Sequence, residues 1–349
     1  MALSHLQTPG TVLELEDGIK YAYIHIAAIS PKPTFLLLHG FPSTSYDWRF
    51  QIASLKSLGY GVIAPDLLGY GDTDKPKELE RYKFKSMASD LVQILNHESL
   101  EKVIGVGHDW GSGMLSRFAN YYPERLSALV FVSVGYVEPG PLDLVQIKYS
   151  IKLRADAVNA MTEQAFGYPT FGYWKFFNED DAAEVCEHHN ESLTSLLYSP
   201  DPDIWKTEVG PVGAAKAFIT ADKSLPLPTW LDASEVAIHN QLFTEGGYTG
   251  PLSWYKATIR GINDEDDAKI PEERKFLASP THIIVSDKDT ITRAEVAEQS
   301  APVRLRNYEI IRINGSGHWI WNLPYRYASH SDIGTSQMAT IRQLTYKYK

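Results

Sequence analysis

The stretch Lys102-Val-Ile-Gly-Val-Gly-His-Asp-Trp-Gly-Ser-Gly113 limits what this chain can become more than any other. Its first half, Lys102 to Val106, is apolar and β-branched, the pattern of a strand buried in a sheet. From Gly111 to Tyr122 the residues Met114, Leu115, Phe118, Ala119 and Tyr122 recur at helical spacing. The chain must therefore turn within a few residues, and Asp109 stands at the apex. Gly107 and Gly111 flank it, where a bulky side chain would collide across the turn. Such an elbow lifts one side chain above a parallel sheet as a nucleophile. Serine there would acylate itself from an ester or amide. A carboxylate is better suited to attacking an sp³ carbon, giving an alkyl ester of the protein. The plainer alternative is a Gly-rich turn whose Asp caps the helix.

The rest of the chain supplies the sheet this elbow needs. Residues 11–29 alternate around Asp17-Gly18 and predict a hairpin. Thr34–Gly40, Tyr60–Asp66 and Leu126–Val134 are continuous apolar runs, as expected of strands covered on both faces. Ser45–Leu58 and Phe84–Asn96 read as helices between them. Leu67-Leu-Gly-Tyr-Gly-Asp-Thr-Asp is a turn-rich loop. Residues 137–270 then lose the strand pattern and become rich in Trp, Tyr, Pro and acidic residues with helical spacing. Thr281–Asp289 and Tyr308–Asn314 restore it. This order predicts one α/β fold, a mostly parallel sheet with helices on both faces. Residues 1–136 and 271–349 form its core, and 137–270 form a helical cap inserted after a central strand, over the edge where open α/β sheets bind ligands. The acidic run Asn263–Asp267 is expected to be a solvated loop, and the last twenty or so residues are polar and helical at best.

A formal charge of -10 argues against nucleic acid and anionic membrane as partners, and no apolar run approaches the ~18 residues of a spanning helix. The lone Cys186 excludes an internal disulfide framework and is expected to be an inert thiol in a helix. With no signal-peptide pattern at Met1–Pro9, the expected location is the cytoplasm.

A carboxylate nucleophile needs a base to activate water. Of eleven histidines, His318 follows the last strand in Asn314-Gly-Ser-Gly-His-Trp and can reach the sheet edge. His108 should point away from Asp109 across the strand, and His188, His189 and His239 lie in polar helical stretches expected at the surface. Asp289 and Asp287 both follow the strand from Thr281 and could fix the tautomer of the base; Asp289 lies deeper in the loop and is favoured. The backbone N–H groups of Phe41 and Trp110 are placed to receive an oxyanion, and Pro42 could hold that turn through a cis bond.

With these pieces in place the chain resembles the epoxide hydrolases of the α/β-hydrolase family over residues 10–325. The matching motifs are His39-Gly-Phe-Pro42, Gly69-Tyr-Gly71, Gly107-His-Asp-Trp-Gly111, Ser286-Asp-Lys-Asp289 and Gly317-His-Trp319. Two stretches of the insertion, Phe171-Gly-Tyr-Trp-Lys-Phe-Phe177 and Gly250-Pro-Leu-Ser-Trp-Tyr255, resemble the segments from which the family projects two tyrosines over the nucleophile. The resemblance implies Tyr173 and Tyr255 in that role, with Tyr168 as an alternative to the first. It implies a catalytic set of Asp109, His318, Asp289, Tyr173 and Tyr255. The pocket would involve His39, Pro42, Trp174, Phe177, Trp254 and Trp319. The expected enzyme needs no cofactor and no metal, acts on a small apolar epoxide, and is a monomer or homodimer. Rival readings are a haloalkane or haloacid dehalogenase, which shares the carboxylate nucleophile, and a non-catalytic ligand receptor on the same fold.

Overall fold

The computed structural model describes residues 10–140 and 151–320, with side chains from 156 onward in the second span; the C-terminal stretch read as polar lies outside them. The hairpin forms from β1 (Gly10–Glu14) and β2 (Lys20–Ile26), paired antiparallel around Asp17-Gly18. β3 (Thr34–Leu38), α1 (Arg49–Ser57), β4 (Gly61–Pro65), α2 (Phe84–His97), β5 (Val103–His108), α3 (Trp110–Tyr121) and β6 (Leu126–Val132) follow in strict alternation. Every residue of β3, β4 and β5 is buried, which is why their sequences are unbroken apolar runs. The first turn of the helix expected over Ser45–Leu58 winds as 3₁₀, capped by Thr44, before α1 begins.

After β6 the described chain is helical until the sheet resumes. α4 (Ile151–Phe166), α5 (Tyr173–Phe177), α6 (Ala182–His188), α7 (Asn190–Leu197) and α8 (Ile204–Glu208) come first. α9 (Ala214–Thr220), α10 (Ala233–Gly246), α11 (Thr249–Ile259) and α12 (Asp264–Asp267) complete this segment. β7 (Thr281–Ser286), α13 (Ala294–Arg304) and β8 (Tyr308–Ile313) close the fold. The eight strands form one sheet in the order β1-β2-β4-β3-β5-β6-β7-β8. From β4 to β8 every neighbouring pair is parallel, so the loops after β3, β5, β7 and β8 open at one edge. No helix among the described residues is long and apolar enough to cross a membrane.

Two local expectations are overturned. The acidic run Asn263–Asp267 is not a solvated loop: it forms α12, and Asp267 is 2% exposed. Its carboxylate accepts Arg117 Nε (2.9 Å) and Nη2 (2.8 Å) and the Gly140 N–H (3.0 Å). The partner lies 150 residues away, so no local pattern announces that the charge is compensated. His239, expected at the surface, is buried, with Nε2 3.2 Å from the Pro42 carbonyl and its ring against Tyr198 and Phe243. Its helix packs over the β3 loop, which turns that face inward. Cys186 is buried in α6, and burial pushes its thiol well above its ordinary pKa.

Candidate active site

The elbow between β5 and α3 places Asp109 at φ 49° and ψ -120°, a backbone conformation that L-residues rarely occupy. Two close approaches make it possible. A Cβ on Gly107 would lie 2.4 Å from the Gly111 carbonyl oxygen, and one on Gly111 would lie 2.1 Å from that of Leu38. The Asp109 side chain makes no cap bond to α3, which sets aside the helix-capping alternative. Instead Oδ1 accepts the Phe41 N–H at 2.8 Å, from the loop that leaves β3. The Phe41–Pro42 peptide is cis.

His318 arrives from the loop after β8. Its Nε2 lies 3.8 Å from Asp109 Oδ2, and its Nδ1 donates to Asp289 Oδ2 at 2.7 Å. Ser133 holds the loop by donating to the His318 carbonyl at 2.8 Å, and Ser286 does the same to that of Gly317 at 2.8 Å. Asp289 is buried, and its Oδ1 accepts the N–H groups of Ile291 (3.0 Å) and Thr292 (2.8 Å). The competing Asp287 is exposed and accepts the Gly315 N–H at 2.8 Å, a turn-closing contact away from the histidine.

These contacts order the charges. Burial raises the Asp109 carboxyl above its ordinary range, against the His318 charge and the Phe41 and Trp110 N–H groups. Burial pushes Asp289 the same way, but the His318 charge and hydrogen bond, with those from Thr292, win and hold it below the ordinary value. His318 would be lowered by burial; the Asp289 carboxylate, then Asp109, raise it instead.

The helical segment supplies the other face. Tyr255 on α11 and Tyr173 on α5 stand with ring centroids 6.0 Å apart, and Tyr255 packs edge-on against Phe41 (5.2 Å) and Trp110 (4.9 Å). Burial raises the pKa of both phenols. The Asp109 charge adds to this for Tyr173 and for Tyr255, so both hydroxyls favour the protonated form. Tyr168 is committed elsewhere, donating to the Thr290 carbonyl at 2.8 Å.

Of the residues expected to line a pocket, Phe177 and Trp174 pack against Tyr255 at 5.0 Å and 5.6 Å, beside the acidic apex. The other four brace the site. His39 Nε2 accepts the Leu67 N–H at 2.9 Å while Nδ1 faces the Gly40 carbonyl, and burial lowers its pKa to about 4, so it is a neutral tie between loops. The Pro42 carbonyl accepts the Tyr198 hydroxyl at 2.9 Å. Trp254 donates to the Leu68 carbonyl (2.8 Å), and Trp319 donates to that of Leu197 (2.8 Å) while stacking on Tyr198 at 4.3 Å. Sequence reasoning missed Trp205, whose ring lies 5.6 Å from that of His318, and Thr292, whose hydroxyl bonds Asp289. The tryptophan sits in a helix with no motif around it; the threonine was visible only as part of Thr-Ile-Thr after the acid. His108 is fully buried, and its ring lies 4.7 Å from that of His318.

Residues 33–321 match the family described as the alpha/beta hydrolase fold. The chain is 34% identical over 309 residues to Epoxide hydrolase 2 of Siraitia grosvenorii, covering 85% of this chain and 89% of that one. It is 28% identical to Epoxide hydrolase A of Mycobacterium tuberculosis, over 82% of this chain and 85% of the relative. Among solved structures, Epoxide Hydrolase A from Mycobacterium thermoresistibile superposes with a TM-score of 0.72 at 26% identity, over 95% of this chain and 98% of that one.

Proposed function

The chain belongs to the epoxide hydrolases of the α/β-hydrolase fold family, and from that premise we propose that it converts an epoxide to a vicinal diol through an alkyl ester on Asp109. Oδ1 is engaged by the Phe41 N–H, which leaves Oδ2 as the attacking oxygen. As Oδ2 bonds to an epoxide carbon, the carbon–oxygen bond breaks and the departing oxygen takes a proton from Tyr173 or Tyr255. Phenols held protonated by burial suit this task, and such general-acid help is worth roughly 10²–10⁴-fold.

Hydrolysis of the ester draws on His318, whose Nε2 lies 3.8 Å from Oδ2. His318 Nε2 removes a proton from water, and the hydroxide attacks the ester carbonyl carbon. The carbonyl oxygen, Oδ1, becomes the oxyanion between the Phe41 and Trp110 N–H groups, each donor being worth ~10²–10³ in rate. Collapse passes the proton of the new hydroxyl to the departing oxygen, releasing the diol and returning the carboxylate; the imidazolium, stabilised by Asp289 on the way, returns its proton to the ionised tyrosine. The helices between β6 and β7 act as a cap that carries both phenols. The aromatic walls of Phe177, Trp174 and Phe41 favour an apolar or aryl epoxide.

The observation that carries this reading is the setting of one carboxylate: one oxygen on a backbone donor, the other facing His318, and two buried tyrosines near enough for its charge to oppose their ionisation. A dehalogenase would share the carboxylate but has no use for a phenol pair. A single turnover in ¹⁸O-water should leave label in the Asp109 carboxylate and unlabelled oxygen from Asp109 in the diol. Label entering the diol directly, with none at Asp109, would exclude the covalent route.

A further inference from the structure

The acid beside His318 is held by more than a capping turn. Asp289 Oδ1 takes two backbone N–H groups, from Ile291 and Thr292, and these fix the plane of the carboxyl. Oδ2 takes the His318 Nδ1–H at 2.7 Å and also the Thr292 hydroxyl. The hydroxyl oxygen lies 3.2 Å from the same Nδ1. The direction of each hydrogen follows from charge. An ionised carboxylate only accepts, so Thr292 gives its single proton to Oδ2, and its oxygen lone pairs are left to face Nδ1. The Nδ1–H is thereby enclosed by two acceptors, an anion and a hydroxyl.

We propose that Thr292 is a positioning residue for the hydrolytic half of the reaction: its hydroxyl locks Asp289 Oδ2 and the Nδ1–H tautomer of His318, so that the Nε2 lone pair faces the water beside Asp109. This rests on reading Asp109 as the covalent nucleophile. Without the hydroxyl, Oδ2 keeps only its bond to the imidazole, and the ring loses one of the two acceptors that define its orientation. Attack of Asp109 on the epoxide draws on the tyrosines and needs no proton at Nδ1. Hydrolysis needs His318 to gain a proton at Nε2 while Nδ1–H stays on Asp289. Thr292 therefore acts on the second step and leaves the first alone.

The test uses Thr292→Val, which keeps the shape and the backbone N–H to Oδ1 but removes the hydroxyl, and Thr292→Ser, which restores it. Both are followed in rapid-quench single turnovers of styrene oxide as probe, with intact mass reporting the alkyl-enzyme. A charge-assisted hydrogen bond predicts that Thr292→Val hydrolyses its ester about 10- to 100-fold more slowly while forming it at about the wild-type rate. The ester then accumulates, kcat and KM fall together, and Thr292→Ser recovers most of the loss. Wild-type ester hydrolysis in Thr292→Val, or equal slowing of both steps in the two variants, would overturn the role. His318→Gln separates this from failure of the parent reading, because it should trap the ester whatever Thr292 does. If His318→Gln traps ester while Thr292→Val is unimpaired, only the threonine proposal falls. If no alkyl-enzyme appears in His318→Gln while the wild type makes diol, both fall.

Discussion

Arg117→Met is the perturbation for which the structure allows the fullest reckoning. Arg117 sits on α3, the helix that begins at the Asp109 elbow, and is 4% exposed. Beyond its two bonds to Asp267, it donates from Nη1 to the Val137 carbonyl (2.7 Å) and from Nη2 to that of Glu138 (3.2 Å). It thus ties the chain leaving β6 to the chain returning through α12, both ends of the segment that carries Tyr173 and Tyr255. Methionine would replace the stem but strand the Asp267 carboxylate with, among the described residues, the Gly140 N–H as its remaining donor. Removing one partner of a buried pair costs about 3–5 kcal/mol, mostly because the other charge stays buried and unmatched. With an unfolding entropy of about 2.1 cal/mol/K per residue, a chain this long loses roughly 1.4 °C of melting midpoint per kcal/mol. The expected drop is therefore about 4–7 °C by circular dichroism or calorimetry. Asp267→Leu added to Arg117→Met should recover much of it, since the stranded charge is gone. A single variant melting within about 1 °C of wild type would refute the reasoning, as would a double variant less stable than the single.

Three further outcomes follow from the site. Tyr173→Phe and Tyr255→Phe should each slow ester formation about 10- to 100-fold, and the pair by about 10²–10⁴, in rapid-quench assays; unchanged rates in the double variant would remove the phenols from the chemistry. Gly250→Ala would place a Cβ 2.4 Å from the Gly69 carbonyl oxygen and push α11 off the loop after β4. A displacement of ~1 Å at Tyr255 should cost about 10²-fold in kcat with the circular dichroism spectrum intact, and wild-type kcat would show that the contact yields freely. The pH profile carries a sign. His318 must be neutral to accept a proton from water, and its pKa is raised above 6.5, first by Asp289 and then by Asp109. Burial opposes that raise, and the Asp109 charge vanishes in the ester, so the acid limb of kcat should lie at lower pH than the titration of His318 in the free enzyme. A kcat midpoint at or above the His318 titration of the free enzyme, followed by NMR, would contradict that assignment.

What could be read in the sequence had local signatures. β3, β4 and β5 are buried on both faces and so are nearly unbroken apolar runs. The elbow is visible because close packing at Gly107 and Gly111 leaves no room for another residue type. Asp289 and His318 come into view once the strands before them are placed, since parallel strands deliver their loops to one edge. The two tyrosines had no such signature. With twenty tyrosines in the chain, only the resemblance of the surrounding segments distinguished Tyr173 and Tyr255. Tertiary pairings were invisible for the same reason. Nothing near Asp267 points to Arg117, and nothing near His239 points to the Pro42 carbonyl 197 residues earlier. Polar residues at such positions look solvated until the fold supplies the partner.

The site is divided between two bodies of structure by electrostatics as much as by shape. The sheet edge can hold an anion at Asp109 because it supplies fixed donors there, the Phe41 N–H and the Trp110 N–H at the start of α3, with His318 Nε2 3.8 Å away. It offers no proton for the oxygen that leaves an epoxide. A proton donor placed equally close on the sheet would have to avoid that anion or be neutralised by it. The helical segment resolves this by bringing neutral phenols from above, in aromatic surroundings where burial and the Asp109 charge both oppose ionisation. In the proposed reaction the acid and the nucleophile thus sit on separate elements, the phenols kept neutral by burial and the Asp109 anion relying on its donors and His318 against a burial that opposes its charge. Their alignment depends on ties that cross between the two parts: Trp254 to Leu68, Tyr198 to Pro42, Trp319 to Leu197 and Arg117 to Asp267. Such ties explain why this fold spends so many buried polar contacts far from any reacting atom.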